Sequence, residues 1–585
     1  MVITPTIVSS DHHHHHHHHH HHGDGTEMFY RKGSKVKCGT TLLLVRALTF
    51  TILGIIFCIW TPFEIIMSER LRMHKGLPPY DLWANPPDEV VMSAYVYNYT
   101  NVEAFLNGEV DVLQVAEIGP ILYREILSHH NITRNDNNTI TFVAKHTAIL
   151  WEESNKVNMN DTITVPNYAA LSMATFLHDA PFFVKLGFNI LLRQLKTDMF
   201  KTMTIQNFLW NFTDPILSTA HKLIPHLAPI KNIGMLERIY QDFEDTYTMY
   251  VGADHGPERF SLIEKVGGSD YIPGYKQCAD KVTNATEGVV YGQFLTRQSV
   301  LHYWRKTVCK VVKLIYESDQ VREGIDTYLY VVPNNSYDRT YPAFDDCYKG
   351  EPSLPNGLTD VSNCMYNVPI VASFPHFLYA DSKVSEKLEG LRPNRSLHTS
   401  YVYVEPITGV PIHSVARSQS NLAVRKLGGF SDGVLQFSNR VLPMFWLEYN
   451  QKSIPMDIYL LVYGASVVLK PGQILFIASL FLIGFYSTVR FGRKFTNSED
   501  YQRLAKKYNN SQSSSNPKPL KRLNRRSSAY GSRISTNIEN GDATDATSLT
   551  QAHSVNVTPA ENSSSKDQDN FKHKSSSFIN SNVIC

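Results

Sequence analysis

Two apolar segments decide the organisation of this chain: LTFTILGIIFCIWTPF at residues 48–63 and PGQILFIASLFLIGFYSTV at residues 471–489. The first lies in a run of uncharged residues between Arg46 and Glu64, and the second lies between Lys470 and Arg490. A helix needs about 20 apolar residues to cross the hydrocarbon core, and border charges can reach its surface. We therefore predict transmembrane helices at residues 42–66 and 470–489. The alternatives are a buried core helix for each and a cleaved signal peptide for the first.

The charges beside the two segments indicate their orientation. Residues 28–41, MFYRKGSKVKCGTT, contain basic residues and no acid, and RFGRKFTNSEDYQRLAKK at 490–507 contains six basic residues and two acids. The positive-inside rule places both flanks in the cytosol. We therefore predict a cytosolic tail at 1–41, an extracellular or lumenal ectodomain at 67–469 and a second cytosolic tail at 490–585. The second tail is rich in Ser and Asn, which predicts disorder.

The composition of the ectodomain predicts an α+β domain with a β majority. Stretches rich in tyrosine and β-branched residues, bounded by turn residues, predict strands at MSAYVYNY (92–99), GIDTYLYVVP (324–333) and TSYVYVEP (399–406). The whole chain has a formal net charge of +2, and 19% of its residues are charged. These values argue against a nucleic-acid-binding protein.

The ectodomain carries signs of the secretory pathway. Four cysteines lie in it, and in an oxidising compartment they predict two disulfides among Cys278, Cys309, Cys347 and Cys364. The sequence itself leaves all three pairings open, and no C-x-x-C pair suggests zinc. Eight N-x-S/T triplets predict glycosylation at Asn98, Asn131, Asn137, Asn160, Asn211, Asn284, Asn334 and Asn394.

One stretch of the ectodomain has helical periodicity: DAPFFVKLGFNILLRQLKTDMFKTM at 179–203. An apolar stripe recurs every three or four residues at Val184, Phe188, Leu191, Leu192, Leu195 and Met199. The opposite side would carry Lys185, Asn189, Arg193 and Lys196. This polar side is either a solvated face or a cationic binding surface.

Catalytic signatures are missing from the sequence. It contains no G-x-S-x-G, H-E-x-x-H, P-loop or G-x-G-x-x-G pattern, so we expect neither an enzyme nor a bound cofactor. The eleven histidines His12–His22 can bind metal ions loosely but define no fixed geometry, and we predict no metal site there. A natural low-complexity tract is the favoured interpretation, and an engineered tag is the alternative.

Five further stretches lie in sequence between the two apolar segments: EIGPILYREI (117–126), LWNFTDPIL (209–217), IYESD (315–319), PHFLYAD (375–381) and EPITG (405–409). Taken together and in this order, they resemble the class B scavenger receptor family. The resemblance implies an antiparallel β-barrel core with short helices, a helical tip and an apolar tunnel. Such a tunnel would let a lipid move without exposing its apolar surface to water.

The resemblance also implies roles for particular residues. It favours the pairings Cys278–Cys347 and Cys309–Cys364, and the cysteines of a third bridge found in many members are absent here. The family's tip helices present basic residues to anionic particles, which implies a ligand-binding set of Lys185, Arg193, Lys196 and Lys201. Gln194 stands where some relatives have a lysine, and Arg193 is adjacent to it.

Two short cytosolic features suggest trafficking. Tyr501 and Leu504 in SEDYQRLA resemble a tyrosine-based sorting signal, which clathrin adaptors bind as an extended peptide. Cys38 precedes the first apolar segment and is a candidate for palmitoylation.

We therefore expect a receptor at the plasma membrane that cycles to endosomes and lysosomes. Its partners would be lipid or lipoprotein ligands, membrane lipids and a clathrin adaptor, with homo-oligomer formation left open. The alternative within the family is an endolysosomal receptor that carries a lysosomal hydrolase. A two-span ligand-gated channel and an ectoenzyme are the alternatives of other classes.

Overall fold

The computed structural model describes residues 26–87, 90–223, 225, 232, 234–241, 245–275, 281–338, 354–497 and 499–513. Contacts divide the chain into two compact units. One consists of Met1–Cys58 with Leu480–Cys585, and the other is Ile59–Ser479. The predicted Cys278–Cys347 bridge, the histidine run and the tail beyond residue 513 lie outside the described residues.

Two helices are long and apolar enough to cross a membrane, at Gly39–Ile59 and Met456–Thr496. The first differs from the predicted 42–66 because the helix ends at Ile59 and Thr61 begins a new one. The Thr61 hydroxyl accepts a hydrogen bond from the Glu64 amide at 3.2 Å, and the Glu64 carboxylate accepts one from the Thr61 amide at 3.3 Å. This reciprocal capping box separates Phe63–Ile66 from the first span.

Small residues bring the two spans together inside the first unit. A Cβ atom added to Gly484 would lie 2.6 Å from the Thr51 hydroxyl oxygen, and one added to Gly54 would lie 3.0 Å from the Phe481 ring. Glycines at such positions allow close backbone approach between membrane helices. The second helix continues through Thr496, and another covers Glu499–Ser513, which differs from the disorder predicted for the tail from residue 490.

The ectodomain is built on a large, mainly antiparallel sheet, and all three predicted strands are confirmed. The strands are β1 Val90–Tyr99, β2 Leu113–Arg134, β3 Thr139–Leu150, β4 Thr162–Pro166, β5 Phe200–Thr204, β6 Asp245–Tyr250, β7 Ile263–Val266, β8 Leu301–Arg305, β9 Lys310–Arg322, β10 Ile325–Val331, β11 Thr359–Asp360, β12 Ile370–Ser373, β13 Leu388–Glu389, β14 Tyr401–Val404, β15 Pro411–Val424 and β16 Arg440–Gln451. The main path runs β7-β6-β3-β2-β1-β16-β15-β14-β10-β9-β8, and β4 pairs separately with β5.

The two ends of this path are connected by one short segment. The Ile263 amide of β7 donates to the Ala285 carbonyl at 2.7 Å. The Thr286 amide donates to the His302 carbonyl of β8 at 2.9 Å, and the Trp304 amide donates back to Thr286 at 2.9 Å. Both edge strands therefore find backbone partners, which leaves fewer open hydrogen-bonding groups at the sheet edge.

Short helices cover the sheet. The described α-helices are α1 Thr26–Ile59, α2 Pro62–Leu71, α3 Pro78–Ala84, α4 Val102–Leu106, α5 Tyr168–Phe176, α6 Phe182–Gln194, α7 Ile205–Trp210, α8 Pro215–Leu223, α9 Met235–Gln241, α10 Ser382–Ser385, α11 Arg395–His398, α12 Asp432–Leu435, α13 Met456–Tyr463, α14 Lys470–Thr496 and α15 Glu499–Ser513. The largest core cluster joins β1, β2 and β16 to α5, α6 and α7 through buried side chains such as Tyr97, Leu171, Phe188, Phe208 and Leu447.

The predicted periodic helix at 179–203 is shorter in the structure. Helix α6 ends at Gln194, and Lys196 adopts a positive φ of 48°. From Phe200 the chain forms β5, in which Phe200 pairs with Pro166. The strand pairing of residues 200–204 thus ends a helical pattern that the sequence continues to Met199.

The bridge between Cys309 and Cys364 is confirmed, with a Cα–Cα distance of 6.3 Å. It ties the turn after β8 to the segment before β12 across 55 residues of sequence. Closing a loop of this length restricts the unfolded chain and so stabilises the folded ectodomain.

Candidate ligand-binding surface and internal cavities

Helix α6 presents an apolar surface to solvent, contrary to the predicted stripe. Phe188 and Leu192 are buried as expected, but Val184 is 46% exposed. We define the α6 surface as Phe182, Phe183, Val184, Leu186, Ile190, Arg193 and Lys196, all of them exposed. Phe183 is 81% exposed and is the most prominent of the set. An apolar patch with two cations beside it is the composition of a surface that meets a partner.

The four predicted ligand-binding cations do not share one environment. Arg193 and Lys196 are exposed. The Lys185 ammonium donates to the His178 carbonyl at 2.6 Å and lies 5.5 Å from the Phe430 ring centre. Lys201 forms an ion pair with Asp214, whose side chain is completely buried. The structure thus separates two exposed cations from two that hold parts of the fold together.

A cavity of about 210 Å³ lies inside the ectodomain, and we call it the central cavity. Its wall comes from nine strands of the main sheet, which are far apart in sequence: β1, β2, β3, β6, β8, β9, β14, β15 and β16. Tyrosines and aliphatic residues form much of this wall, including Leu127, Tyr240, Tyr303, Val312 and Tyr449.

A second cavity of about 340 Å³ adjoins it, and we call it the apolar cavity. Helices α2, α3 and α13 line it with residues such as Ile66, Met67, Leu82, Ile458 and Val462. Pro86, Val289 and Gln451 line both cavities, so these residues form a wall that the two cavities share. The part of the apolar cavity formed by Met456–Tyr463 belongs to the helix that continues as the second candidate span.

Acidic groups in the central cavity are paired with histidines. The Glu125 carboxylate lies 3.0 Å from His146 Nδ1 and accepts from the Tyr240 hydroxyl at 3.3 Å. Burial would lower the pKa of His146, but the hydrogen bond to Glu125 and its charge raise it above the ordinary value. The contact with Glu125 therefore favours the charged form of His146.

Glu287 also lines the central cavity and has a similar partner. Its carboxylate lies 3.1 Å from His129 Nε2 and accepts from the Trp83 indole at 2.9 Å. His129 Nδ1 lies 2.7 Å from the Trp83 carbonyl, so both ring nitrogens face acceptor oxygens. Burial would raise the pKa of Glu287, but His129 and Trp83 hold it below its ordinary value.

The stretches that carry the family resemblance form contacts with one another and with neighbouring elements. Glu117 accepts hydrogen bonds from His376 and from the Trp446 indole, each at 2.7 Å. Burial would raise the pKa of Glu117, but these hydrogen bonds lower it. His398 stacks on His376 with ring centres 4.5 Å apart. Burial and the charge of His376 lower the pKa of His398 to about 4.

The EPITG stretch forms a turn that contacts the helix following the first span. The Glu405 carboxylate accepts from the Ile407 amide at 3.0 Å and the Thr408 amide at 2.7 Å. The Arg70 guanidinium of α2 donates to the Thr408 carbonyl at 2.8 Å. Gly409 has a φ of 71°, and a Cβ atom there would lie 2.2 Å from the Tyr291 carbonyl oxygen, so only glycine fits.

Most predicted glycosylation sites lie at the surface. Asn98 is the exception, because it is half-buried on β1 and its side-chain oxygen accepts from the Thr164 amide at 2.8 Å. The other seven are exposed: Asn131, Asn137, Asn160, Asn211, Asn284, Asn334 and Asn394.

The cytosolic features lie on helices. Tyr501 and Leu504 are exposed on α15, and the Tyr501 ring is 5.5 Å from that of Phe495. An adaptor that binds an extended peptide would require this part of α15 to unwind. Cys38 lies within α1, and its side chain is outside the described residues.

The sequence interpretation missed Arg305, which lines the central cavity and is 4% exposed. The signal available was its position in β8: Tyr303 and Arg305 lie two residues apart and therefore share a face of the strand. The sequence does not show that this face borders a cavity, because the opposite wall comes from β2, β15 and β16. Among the described residues, no group of three or more metal-ligating side chains occurs.

Comparison with known proteins adds the following. A family model described as the CD36 family matches residues 44–493. Scavenger receptor class B member 1 of Bos taurus is 27% identical over 421 residues, covering 71% of this chain and 81% of that protein. The Mus musculus protein of the same name is 27% identical over 442 residues, covering 75% and 85%. Lysosome membrane protein 2 of Homo sapiens is 26% identical over 425 residues, covering 72% and 85%.

Proposed function

The chain belongs to the CD36 family, and we propose that it is a two-span scavenger receptor that takes up lipid. Its ectodomain would bind lipids, lipoproteins or anionic particles at the α6 surface. Lipid would then pass through the connected cavities towards the membrane, or the receptor would be internalised with its ligand. A receptor of this kind performs no chemical step on its ligand, so no catalytic residue is needed.

The observation that carries this proposal is that the two cavities share wall residues. A passage for lipid needs walls that are apolar and continuous, because exposed hydrocarbon is unfavourable in water. The apolar cavity is lined mainly by aliphatic side chains and lies between α2, α3 and α13. Its shared residues with the central cavity support a continuous route through the ectodomain.

The α6 surface supports capture of the particle. Arg193 and Lys196 are exposed, and the phenylalanines Phe182 and Phe183 beside them are 64% and 81% exposed. Cations attract an anionic surface over a distance, and apolar side chains can then insert at its boundary.

A bulky substitution in the wall shared by the two cavities tests whether lipid passes through them. Val289→Trp places a large side chain in this shared wall, and Val300→Trp places the same side chain at a site that is 47% exposed. Cells expressing either variant are given labelled fatty acid, sterol ester, carotenoid or modified lipoprotein. We expect Val289→Trp to reduce lipid uptake while particle binding stays normal, and Val300→Trp to change neither. Normal lipid uptake by a well-expressed Val289→Trp variant would remove the passage from the proposal.

A second candidate is an endolysosomal receptor that carries a lysosomal hydrolase. It is favoured by the similarity to lysosome membrane protein 2. The proposed cycling through Tyr501 and Leu504 would serve either role, with clathrin adaptors as partners. Tyr501→Ala should move the protein to the cell surface if this signal operates, with Tyr508→Ala on the same helix as the matched control. An unchanged steady-state location would remove the sorting signal, and lysosomal residence without lipid uptake would favour the second candidate.

A further inference from the structure

The unit that contains the first span has a cleft between the ends of the two apolar helices that face the cytosol in the predicted orientation. Its volume is about 440 Å³, and we call it the cytosolic cleft. Residues of α1 and of the C-terminal end of α14 form its wall, and they are Gly39, Leu42, Leu43, Arg490, Arg493, Lys494 and Asn497. All of them belong to the unit formed by Met1–Cys58 with Leu480–Cys585.

The three cations of the cleft have no carboxylate partner in the part of the chain that the structure describes. Arg490 Nη1 donates to the Tyr486 hydroxyl at 3.4 Å, which is a neutral acceptor, and the other two cations are exposed. The sequence contains no acid in residues 28–43 or 487–497, and the next acid along the chain is Glu499 at the start of α15. The wall of the cleft is therefore uniformly positive.

Two general rules place cations at such a position without a ligand. Basic residues are favoured at the C-terminal end of a helix and on the cytosolic side of a span. These rules account for the sign of the charge but not for its arrangement. A Cβ atom added to Gly39 would lie 3.2 Å from the Lys494 Nζ, so this ammonium lies over the backbone of α1. Like charges gathered around one cleft repel each other, and a bound anion would offset that repulsion.

The apolar part of the wall indicates a lipid. Leu42, which is 69% exposed, and Leu43 line the same cleft as the cations. Residues 490–497 rise by about 10 Å along a helix, which is enough to cross a headgroup layer of roughly 5 to 8 Å. The cleft thus offers positive charge at the depth of the headgroups and hydrocarbon contacts beside it. Basic pockets of this kind between membrane helices suit phosphate-bearing headgroups.

A headgroup with more than one phosphate fits this wall better than a singly charged one. A guanidinium can bind one phosphate through two parallel N–H donors, and the cleft contains two guanidinium groups and an ammonium. Phosphatidylserine carries an ammonium of its own, which the three cations would repel. Phosphatidylcholine has no net charge to offer.

We infer that the cytosolic cleft binds the headgroup of an inositol lipid that carries two or more phosphates, with the acyl chains beside Leu42 and Leu43. The lipid would be a bound partner of the receptor in the cytosolic leaflet and not its cargo. The residues of the cleft belong to a different unit from those that line the central cavity and the apolar cavity. Failure of this inference would therefore leave the proposed lipid passage untouched.

Photolabelling of the full-length protein in phosphatidylcholine nanodiscs tests the site. The probe is phosphatidylinositol 4,5-bisphosphate with a diazirine in one acyl chain, close to the glycerol. We expect labelling of residues 38–46 or 480–497, the parts of the two helices nearest the cleft. Absence of label from both segments, with or without label elsewhere in the chain, would overturn the inference.

Competition identifies the headgroup. Unlabelled phosphatidylinositol 4,5-bisphosphate should remove the label, and phosphatidylserine should compete roughly 10- to 100-fold less well because it has fewer negative charges. Soluble inositol 1,4,5-trisphosphate separates a lipid site from a site for free phosphate, and we expect it to compete less well than the lipid. Equal competition by phosphatidylserine would overturn the assignment to a multiply phosphorylated headgroup. Equal competition by the trisphosphate would overturn the part assigned to the acyl chains.

Removal of charge from the cleft provides the second measurement. Arg493→Gln combined with Lys494→Gln should weaken binding of the probe roughly 10- to 30-fold. Lys506→Gln combined with Lys507→Gln is the matched control, because it removes the same charge from exposed lysines of α15 that do not line the cleft. This control should bind the probe like the wild type. Equal weakening by the two pairs would overturn the inference in favour of a general attraction between the basic tail and the membrane.

A third variant covers the effect of these charges on orientation, since basic residues beside a span help to set it. Glycosylation of the ectodomain shows whether the variant lacking Arg493 and Lys494 keeps the wild-type orientation. If it does not, Gly39→Leu takes its place, because a leucine fills the space beside Lys494 and retains every cation. Gly39→Leu should also weaken binding of the probe, and wild-type affinity in this variant would overturn the inference.

Discussion

The α6 surface and the wall of the ectodomain interior both carry cations, but their surroundings give these cations different roles. Arg193 and Lys196 are in contact with solvent, so each charge is hydrated and can act on an approaching particle. Arg305 is 4% exposed, and Lys201 contacts a completely buried carboxylate. Water screens the first group, while the second group acts on buried neighbours at short range.

The same contrast holds for the apolar residues. Interior aromatic side chains such as Tyr97, Phe105 and Phe208 are almost completely buried, whereas Phe182 and Phe183 of α6 are 64% and 81% exposed. Burial explains the first set through packing alone. Phe182 and Phe183 contact each other, with ring centres 5.7 Å apart, and most of their surface faces solvent. The comparison therefore separates residues that build the domain from residues that we propose meet a ligand.

The largest expected effect is a loss of folding stability when Lys201 is replaced. The family resemblance grouped this residue with the ligand-binding cations. Lys201→Met leaves Asp214 buried without a counter-charge, although Asp214 still accepts from the Ile216 amide at 2.7 Å. We expect a loss of about 3 kcal/mol in the free energy of unfolding, because removal of one partner of a buried pair is strongly destabilising. Thermal unfolding of the purified full-length protein measures it.

Lys196→Met is the control for that experiment. Lys196 lies five residues before Lys201 and is exposed. We expect its replacement to change the free energy of unfolding by less than about 0.5 kcal/mol. If both variants unfold at the wild-type temperature, the distinction between a structural and a surface cation fails at this position.

An intermediate effect is expected on the pH dependence of folding stability, to which His398 contributes. This histidine lies in the interior beside Glu117 and His376. Its pKa is lowered to about 4, whereas an unfolded histidine titrates near about 6.5. The unfolded chain therefore binds a proton that the fold excludes. The stability that His398 contributes is present above about pH 6.5 and is lost as the pH falls towards 4. Glu117 adds to the loss at the acidic end, because its pKa is also lowered.

His398→Asn tests this dependence. An asparagine oxygen can replace Nδ1 of His398, which accepts from the Asn394 amide at 3.0 Å. We expect a smaller fall in unfolding temperature between pH 7 and pH 5 for this variant than for the wild type. His130→Asn, at an exposed histidine, should keep the wild-type dependence. Identical pH profiles for His398→Asn and wild type would contradict the assignment.

Local patterns were enough to predict some of these features. The strand at 92–99 follows from alternation within eight residues, and β1 covers it. The Cys309–Cys364 pairing came from the family resemblance and is confirmed. The capping box at Thr61 is also local: a threonine followed three residues later by glutamate predicts a helix start, and it would have shortened the first predicted span to end before it.

Other features depend on contacts between distant residues and could not be predicted locally. The end of α6 at Gln194 is set by β5, whose partner β4 lies more than 30 residues earlier. Residues 284–286 join β7 to β8, which no periodicity in either strand indicates, and the wall of the central cavity comes from strands far apart in sequence. Lys201 looked like the other cations of its segment because its partner Asp214 lies in a different motif.

The smallest expected effect is on particle capture by the α6 surface. Replacement of Arg193 and Lys196 together by glutamine should weaken binding to phosphatidylserine vesicles roughly three- to tenfold at low salt, because exposed charges attract weakly and are screened. Equilibrium binding measured at two salt concentrations tests this, and the difference from wild type should shrink at high salt. Lys185→Gln is the matched control, since Lys185 donates to His178 and borders Phe430. Stronger weakening by Lys185→Gln than by the double variant would reverse the comparison, because the partly buried cation would then be the one that meets the ligand.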